Sequence, residues 1–173
     1  MRLRRGRGEV RPRSEPGLPD FGPAPELHGV HPWLNTPTNE PLTLAGLVGG
    51  PVLVEFWAFA CSNCLHTLPF LSGLSERYRG ELTVVGVHTP ELPLERVPGN
   101  VARAVRSARL TYPIGLDNDY EAWNAFGNRY WPTMYLLDAE GRIRYTQIGE
   151  GQYRRTEAAI RQLLPVGSQS ADS

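Results

Sequence analysis

Val52-Leu-Val-Glu55-Phe-Trp57-Ala-Phe-Ala-Cys61-Ser-Asn-Cys64-Leu-His-Thr-Leu-Pro69 decides the fold of this chain. Its first part is an apolar run rich in Val and Phe, short enough for a buried strand. After the two cysteines, Leu65, Leu68, Leu71, Leu74 and Tyr78 recur at helical spacing alongside Phe70, while Glu76, Arg77 and Arg79 are polar. The order is therefore strand, short loop, Cys-x-x-Cys, helix.

That order suits dithiol chemistry. The species that attacks a disulfide sulfur is a thiolate. A helix N-terminus offers unpaired N–H groups and the positive end of the dipole, both of which favour an anion. Two intervening residues set the second cysteine one turn further on, within reach of an internal disulfide. A Cys-x-x-Cys pair beside a strand–helix–strand pattern is a recognised redox signature. The other uses of the pair lack their parts. Structural zinc needs two more ligands, but there is no further Cys, and His28, His31, His66 and His88 have no zinc-ligand spacing. Attachment of a c-type haem needs His directly after the second Cys, where Leu65 stands.

With 173 residues, 40% of them hydrophobic, one domain with a real core and loose ends is expected. All 18 basic residues are Arg; six lie before residue 14, so the remainder is mildly acidic and gives no case for nucleic-acid binding. The start has the charge of a signal peptide's first region but no apolar region after it. No apolar run has transmembrane length. The expectation is a cytoplasmic protein, or an extracytoplasmic one if the start is misassigned. Both cysteines lie in the motif, which fits a protein without structural disulfides. Residues 1–22, rich in Arg, Gly and Pro, read as a disordered arm, 23–165 as the domain and 166–173 as a flexible tail.

Within the domain, two apolar groups (Leu27, Val30, Trp33, Leu34; then Leu42, Leu44, Leu47) flank Asn35–Asn39 and predict an N-terminal hairpin. Glu81–His88 is a second buried strand, reached by a right-handed parallel crossover. His88 and Thr89 should therefore share a sheet edge with the cysteines. Pro90–Pro98 reads as a loop and Asn100 as the cap of a helix through Val101, Val105 and Ala108. A short strand at Tyr112–Leu116 and a helix at Glu121–Phe126 follow. Pro132–Leu137 and Ile143–Ile148 form a hairpin around Asp138-Ala-Glu-Gly141, and Tyr153–Leu164 a closing helix.

Taken together, Trp33-Leu-Asn, Pro41-Leu-Thr-Leu, Glu55 to Pro69, Gly86-Val-His-Thr-Pro-Glu91, Tyr112-Pro, Leu116-Asp-Asn-Asp-Tyr120, Tyr130-Trp-Pro-Thr133 and Gly149-Glu-Gly make a specific series. From about residue 22 to 164 the chain resembles the thioredoxin superfamily, and within it the TlpA-like and DipZ-type thioredoxin-like domains. The resemblance implies an α/β thioredoxin-like fold, a mixed β-sheet with flanking helices and a TlpA-type insertion. It implies a protein thiol–disulfide oxidoreductase in which Cys61 attacks and Cys64 resolves the mixed disulfide. It makes Trp57 the tryptophan packed under the site, Pro69 the proline that bends the first helix, and Pro132 a cis-proline facing the cysteines. The substrate groove expected from it comprises Trp57, Trp131, Pro132, Thr133 and His88.

Glu55 has two readings: a partly exposed edge position, or, by the resemblance, a buried acid near Cys64 that takes its proton. Thioredoxins pair that acid with a lysine on the next strand; here the matching position is Gly86, and the chain has no Lys. Without the resemblance Pro132 is an ordinary proline at the start of a strand, and His66 a solvated surface residue. No cofactor and no metal are expected. The partners implied are protein dithiols and disulfides, with a thioredoxin-reductase-like or membrane electron donor, and the protein is expected to be a monomer. One rival is a peroxiredoxin-like peroxidase, whose Pro-x-x-x-Thr-x-x-Cys loop is not matched by Phe56-Trp-Ala-Phe-Ala-Cys61. The other is a binding module that keeps the fold without the catalysis; intact Cys61, Cys64, Glu55 and Pro132 count against it.

Overall fold

Strand β2 (Val52–Trp57) is buried along all six residues because it runs through the middle of the sheet. It pairs in parallel with β3 (Thr83–His88) and antiparallel with β5 (Thr133–Leu137). The computed structural model describes residues 17–38 and 40–167. The six-stranded sheet has the order β1-β4-β3-β2-β5-β6, completed by β1 (Trp33–Leu34), β4 (Ile114–Leu116) and β6 (Ile143–Ile148). The parallel pair β2–β3 is joined by helix α1 (Ser62–Arg77), as the crossover argument requires.

Side chains of a strand alternate between its two faces, so β2 feeds two cores. Leu53 and Trp57 pack with Cys64, Leu68, Leu71 and Leu74 of α1 and with Ile160 of α4 (Tyr153–Leu163). Val52, Val54 and Phe56 pack on the opposite face with Leu27, Trp33 and Trp123, the last on α3 (Glu121–Ala125). The same alternation places Glu55 on the α1 face, with Leu53 and Trp57.

The expected N-terminal hairpin does not form. Trp33 and Leu34 pair with Gly115 and Ile114 instead, and Ala45–Leu47 is a single 3-10 turn. The edge of β4 wins because Gly115 leaves room for an indole: a Cβ there would stand 2.8 Å from the Trp33 ring. Asn35 then fastens the turn, its amide donating to the carbonyls of Leu110 and Tyr112. Helix α2 (Pro98–Ser107) also begins earlier than expected, with Pro in its first turn; Asn100 lies inside it and donates to the carbonyl of Leu94 rather than capping.

The arm reading is divided. Residues 1–16 lie outside the described residues, as do 168–173 of the tail. Residues 17–22, expected to belong to the arm, instead run along β6: Phe21 N–H donates to the Ile143 carbonyl, Ile143 N–H to the Gly22 carbonyl, and Asp20 binds the Arg142 guanidinium at 2.8 Å. Among the described residues no helix is long and apolar enough to cross a membrane.

Candidate active site

The site is assembled at the end of β2. Cys61 caps α1, its sulfur accepting the Cys64 N–H at 3.2 Å. Both cysteines are free thiols, with their sulfurs 2.6 Å apart. Cys61 is half-buried, whereas Cys64 is fully enclosed. Burial pushes the Cys64 thiol far up, and the hydrogen bond to Cys61 and the charge of Glu55 push in the same direction. The two sulfurs of one motif are thus chemically unequal: one is reachable from outside, while the other holds its proton.

Glu55 has no exposed surface, and neither carboxyl oxygen finds a hydrogen-bond partner among the described residues. Desolvation alone raises its acid well above the usual carboxylate range. Across β3 its register partner is Gly86. A Cβ at Gly86 would stand 2.5 Å from Ile114 Cδ1 and 3.1 Å from Trp57 Nε1. A lysine therefore has no space where thioredoxins carry one. Two further buried polar groups, Trp57 Nε1 and the Tyr112 hydroxyl, also lack partners around this point. Burial and the Glu55 charge both raise the Tyr112 phenol.

The second wall comes from the loop before β5. The Trp131–Pro132 bond is cis. Trp131 is half-exposed and shares a cleft of about 370 Å³ with Ala60, Cys61, Ser62, Asn63 and Glu91. Its indole donates to the carbonyl of Thr89 at 2.9 Å. Thr133 is buried, its hydroxyl donating to the carbonyl of Tyr130.

Four residues expected in the groove, Trp57, His88, Pro132 and Thr133, are buried and do not line this cleft. Trp57 and His88 have no exposed surface and lie beneath the loop, their rings edge to face at 5.0 Å. His88 does reach the cysteine edge of the sheet, but the Phe59 ring stacks over it and closes it from outside. His66 is exposed, 3.3 Å from Glu150. Glu95 gave no signal in the sequence: it stands on a 3-10 turn, Pro93–Arg96, within the stretch expected to be a loop, and between exposed neighbours it is itself fully buried, accepting the N–H of Ala60.

A Redoxin family model matches residues 17–164. The chain belongs to the Redoxin family. Among curated relatives, the Redoxin chain is 48% identical over 148 residues to protein DipZ of Mycobacterium tuberculosis; the match takes in 85% of this chain but 21% of DipZ. The chain thus spans about a fifth of the length of that relative. It is 32% identical over 143 residues to the thiol–disulfide oxidoreductase YkuV of Bacillus subtilis, covering 82% of this chain and 94% of that one. Among solved structures, a thioredoxin-like protein in its oxidised form superposes with TM-score 0.73 at 31% identity, over 82% of this chain and 95% of the other. The fold is thioredoxin-like.

Proposed function

We infer that the protein exchanges dithiol for disulfide with other proteins through Cys61 and Cys64. The observation that carries this is the pair itself: a half-exposed sulfur on a helix N-cap, with a buried thiol 2.6 Å behind it. The Cys61 thiolate attacks a substrate disulfide, forming a mixed disulfide and releasing one substrate thiolate, which takes a proton from water. Cys64 must then lose its proton to attack the Cys61 sulfur. Glu55, an unpaired carboxylate on the α1 face, is a strong base once ionised and takes that proton. The second substrate thiolate leaves, Cys61 and Cys64 are left as a disulfide, and two electrons have passed to the substrate.

We assign the cleft wall to Trp131 and the cis-Pro132 loop, which suits an extended peptide laid beside Cys61. The direction is reductive, because a dithiol fits a reducing compartment without structural disulfides. Recharging then needs a thioredoxin-reductase-like or membrane electron donor, and the working unit is a monomer. Cytoplasmic residence is the reading kept, and fractionation of cells tests it against an extracytoplasmic one. The activity is tested by insulin reduction with dithiothreitol, run beside consumption of hydrogen peroxide. Insulin reduction that is lost in Cys61→Ser supports the reading. Peroxide consumption without it points to the peroxidase, and neither activity points to a binding module.

A further inference from the structure

Immediately before Cys61, two successive backbone N–H groups are taken by buried ionisable side chains. Phe59 N–H donates to His88 Nε2 at 3.2 Å, and Ala60 N–H to Glu95 Oε2 at 3.1 Å. The other Glu95 oxygen accepts from Leu92 N–H at 3.0 Å and from Glu91 N–H at 3.3 Å. His88 and Glu95 are both without exposed surface and stand 3.5 Å apart. Nε2 of His88 thus faces both the Phe59 N–H and the Glu95 carboxylate, while Nδ1 is buried with no partner among the described residues. An unpaired imidazole nitrogen and a buried carboxylate both cost stability. Apolar residues would serve this core better unless the pair does something else.

We propose that His88 and Glu95 are positioning residues: they hold the Phe59–Ala60 segment in front of Cys61, and through it they set the redox balance of the Cys61–Cys64 couple. This rests on the dithiol–disulfide reading of the two cysteines. Both oxygens of Glu95 accept from N–H groups, so the group has to be an anion; a glutamine would turn an NH2 toward one of those donors. Burial by itself would raise the Glu95 carboxyl, but the His88 imidazole and the N–H groups of Ala60 and Leu92 outweigh it and hold it below the ordinary range.

The carrier of Glu95 is itself fixed at several points. The Tyr120 hydroxyl donates to the carbonyl of Pro90, and Arg96 and Asn118 exchange two hydrogen bonds. Trp131 donates to Thr89 at the other end of the same segment. Residues 89–96 therefore link the cysteine loop to the loop bearing Pro132, and they set the distance between the two walls of the cleft.

The test is a glutathione redox titration of the full chain, with Glu95→Gln, His88→Gln and His88→Leu beside the wild type. Urea midpoints are recorded to certify folding. Glu95→Gln, which loses an acceptor for one of the N–H groups it binds, should shift the equilibrium about tenfold, ~30 mV. His88→Gln keeps an acceptor for Phe59 and should stay near the wild type, whereas His88→Leu should move by about threefold, roughly 14 mV. A folded Glu95→Gln protein with the wild-type equilibrium overturns the proposal. So does a His88→Leu protein that matches His88→Gln, and this pair decides if Glu95→Gln does not fold. A wild type that does not titrate as a two-electron couple refutes the redox reading instead.

Discussion

Replacing Glu55 by Gln or Leu separates two consequences of burying an acid without a partner. The carboxyl titrates at a higher pH in the folded protein than in the unfolded chain, where about 4.3 is ordinary. Between those two values the native state holds a proton that the unfolded state has lost. Stability therefore falls as pH rises through that window, by up to about 1.4 kcal/mol per pH unit, and levels off above the folded value. Well below pH 4 the acid is neutral in both states and the pH-dependent part of the penalty is absent. Glu55→Gln should remove this slope. Glu55→Leu should remove it and also gain about 1–3 kcal/mol, because neither carboxyl oxygen has a partner to lose. The assay is urea unfolding of the oxidised protein from pH 4 to 8, where the cysteines are joined and do not titrate. In parallel, Gln should slow release of the mixed disulfide from Cys61. Wild-type and Gln stabilities that stay parallel across the range refute the buried-acid argument, as does a Leu variant less stable than the wild type.

Limiting iodoacetamide on the reduced protein should label Cys61 before Cys64, since Cys64 is enclosed and its thiol is pushed up; peptide mass mapping reads the order. Cys64→Ser should accumulate a mixed disulfide with a substrate protein on Cys61, visible on a non-reducing gel. Gly86→Ala should cost about 1–3 kcal/mol, measured by urea midpoint, because its Cβ would stand 2.5 Å from Ile114 Cδ1 in a filled core. Deleting residues 1–16 should leave the urea midpoint unchanged, while deletion through residue 22 should lower the midpoint and cost about 1–2 kcal/mol of stability as the backbone bonds to Ile143 are lost.

The order of elements around Cys61 was legible in the sequence because it rests on local periodicity. The continuous apolar run Val52–Trp57 reports a strand buried on both faces, and helical spacing from Leu65 to Tyr78 reports one buried face. The parallel crossover follows from chain length and handedness, and the thioredoxin resemblance set Gly86 beside Glu55, the register found. What the sequence could not rank were competitions between distant partners. Trp33 and Leu34 had an adjacent apolar group to pair with, and they took the edge of β4, eighty residues away, because Gly115 accommodates an indole. Residues 17–22 have the composition of a loose arm, but β6 offered unpaired N–H and C=O groups, and pairing an edge outweighs composition. His88 reached the edge that topology required, yet the packing of Phe59 over it turned a groove residue into a buried one. Glu95 is the extreme case. Its neighbours are exposed and its segment has no period; Leu92 and Glu91 supply N–H groups locally, but the third, from Ala60, lies thirty-five residues earlier, and only the folded structure brings it to Glu95.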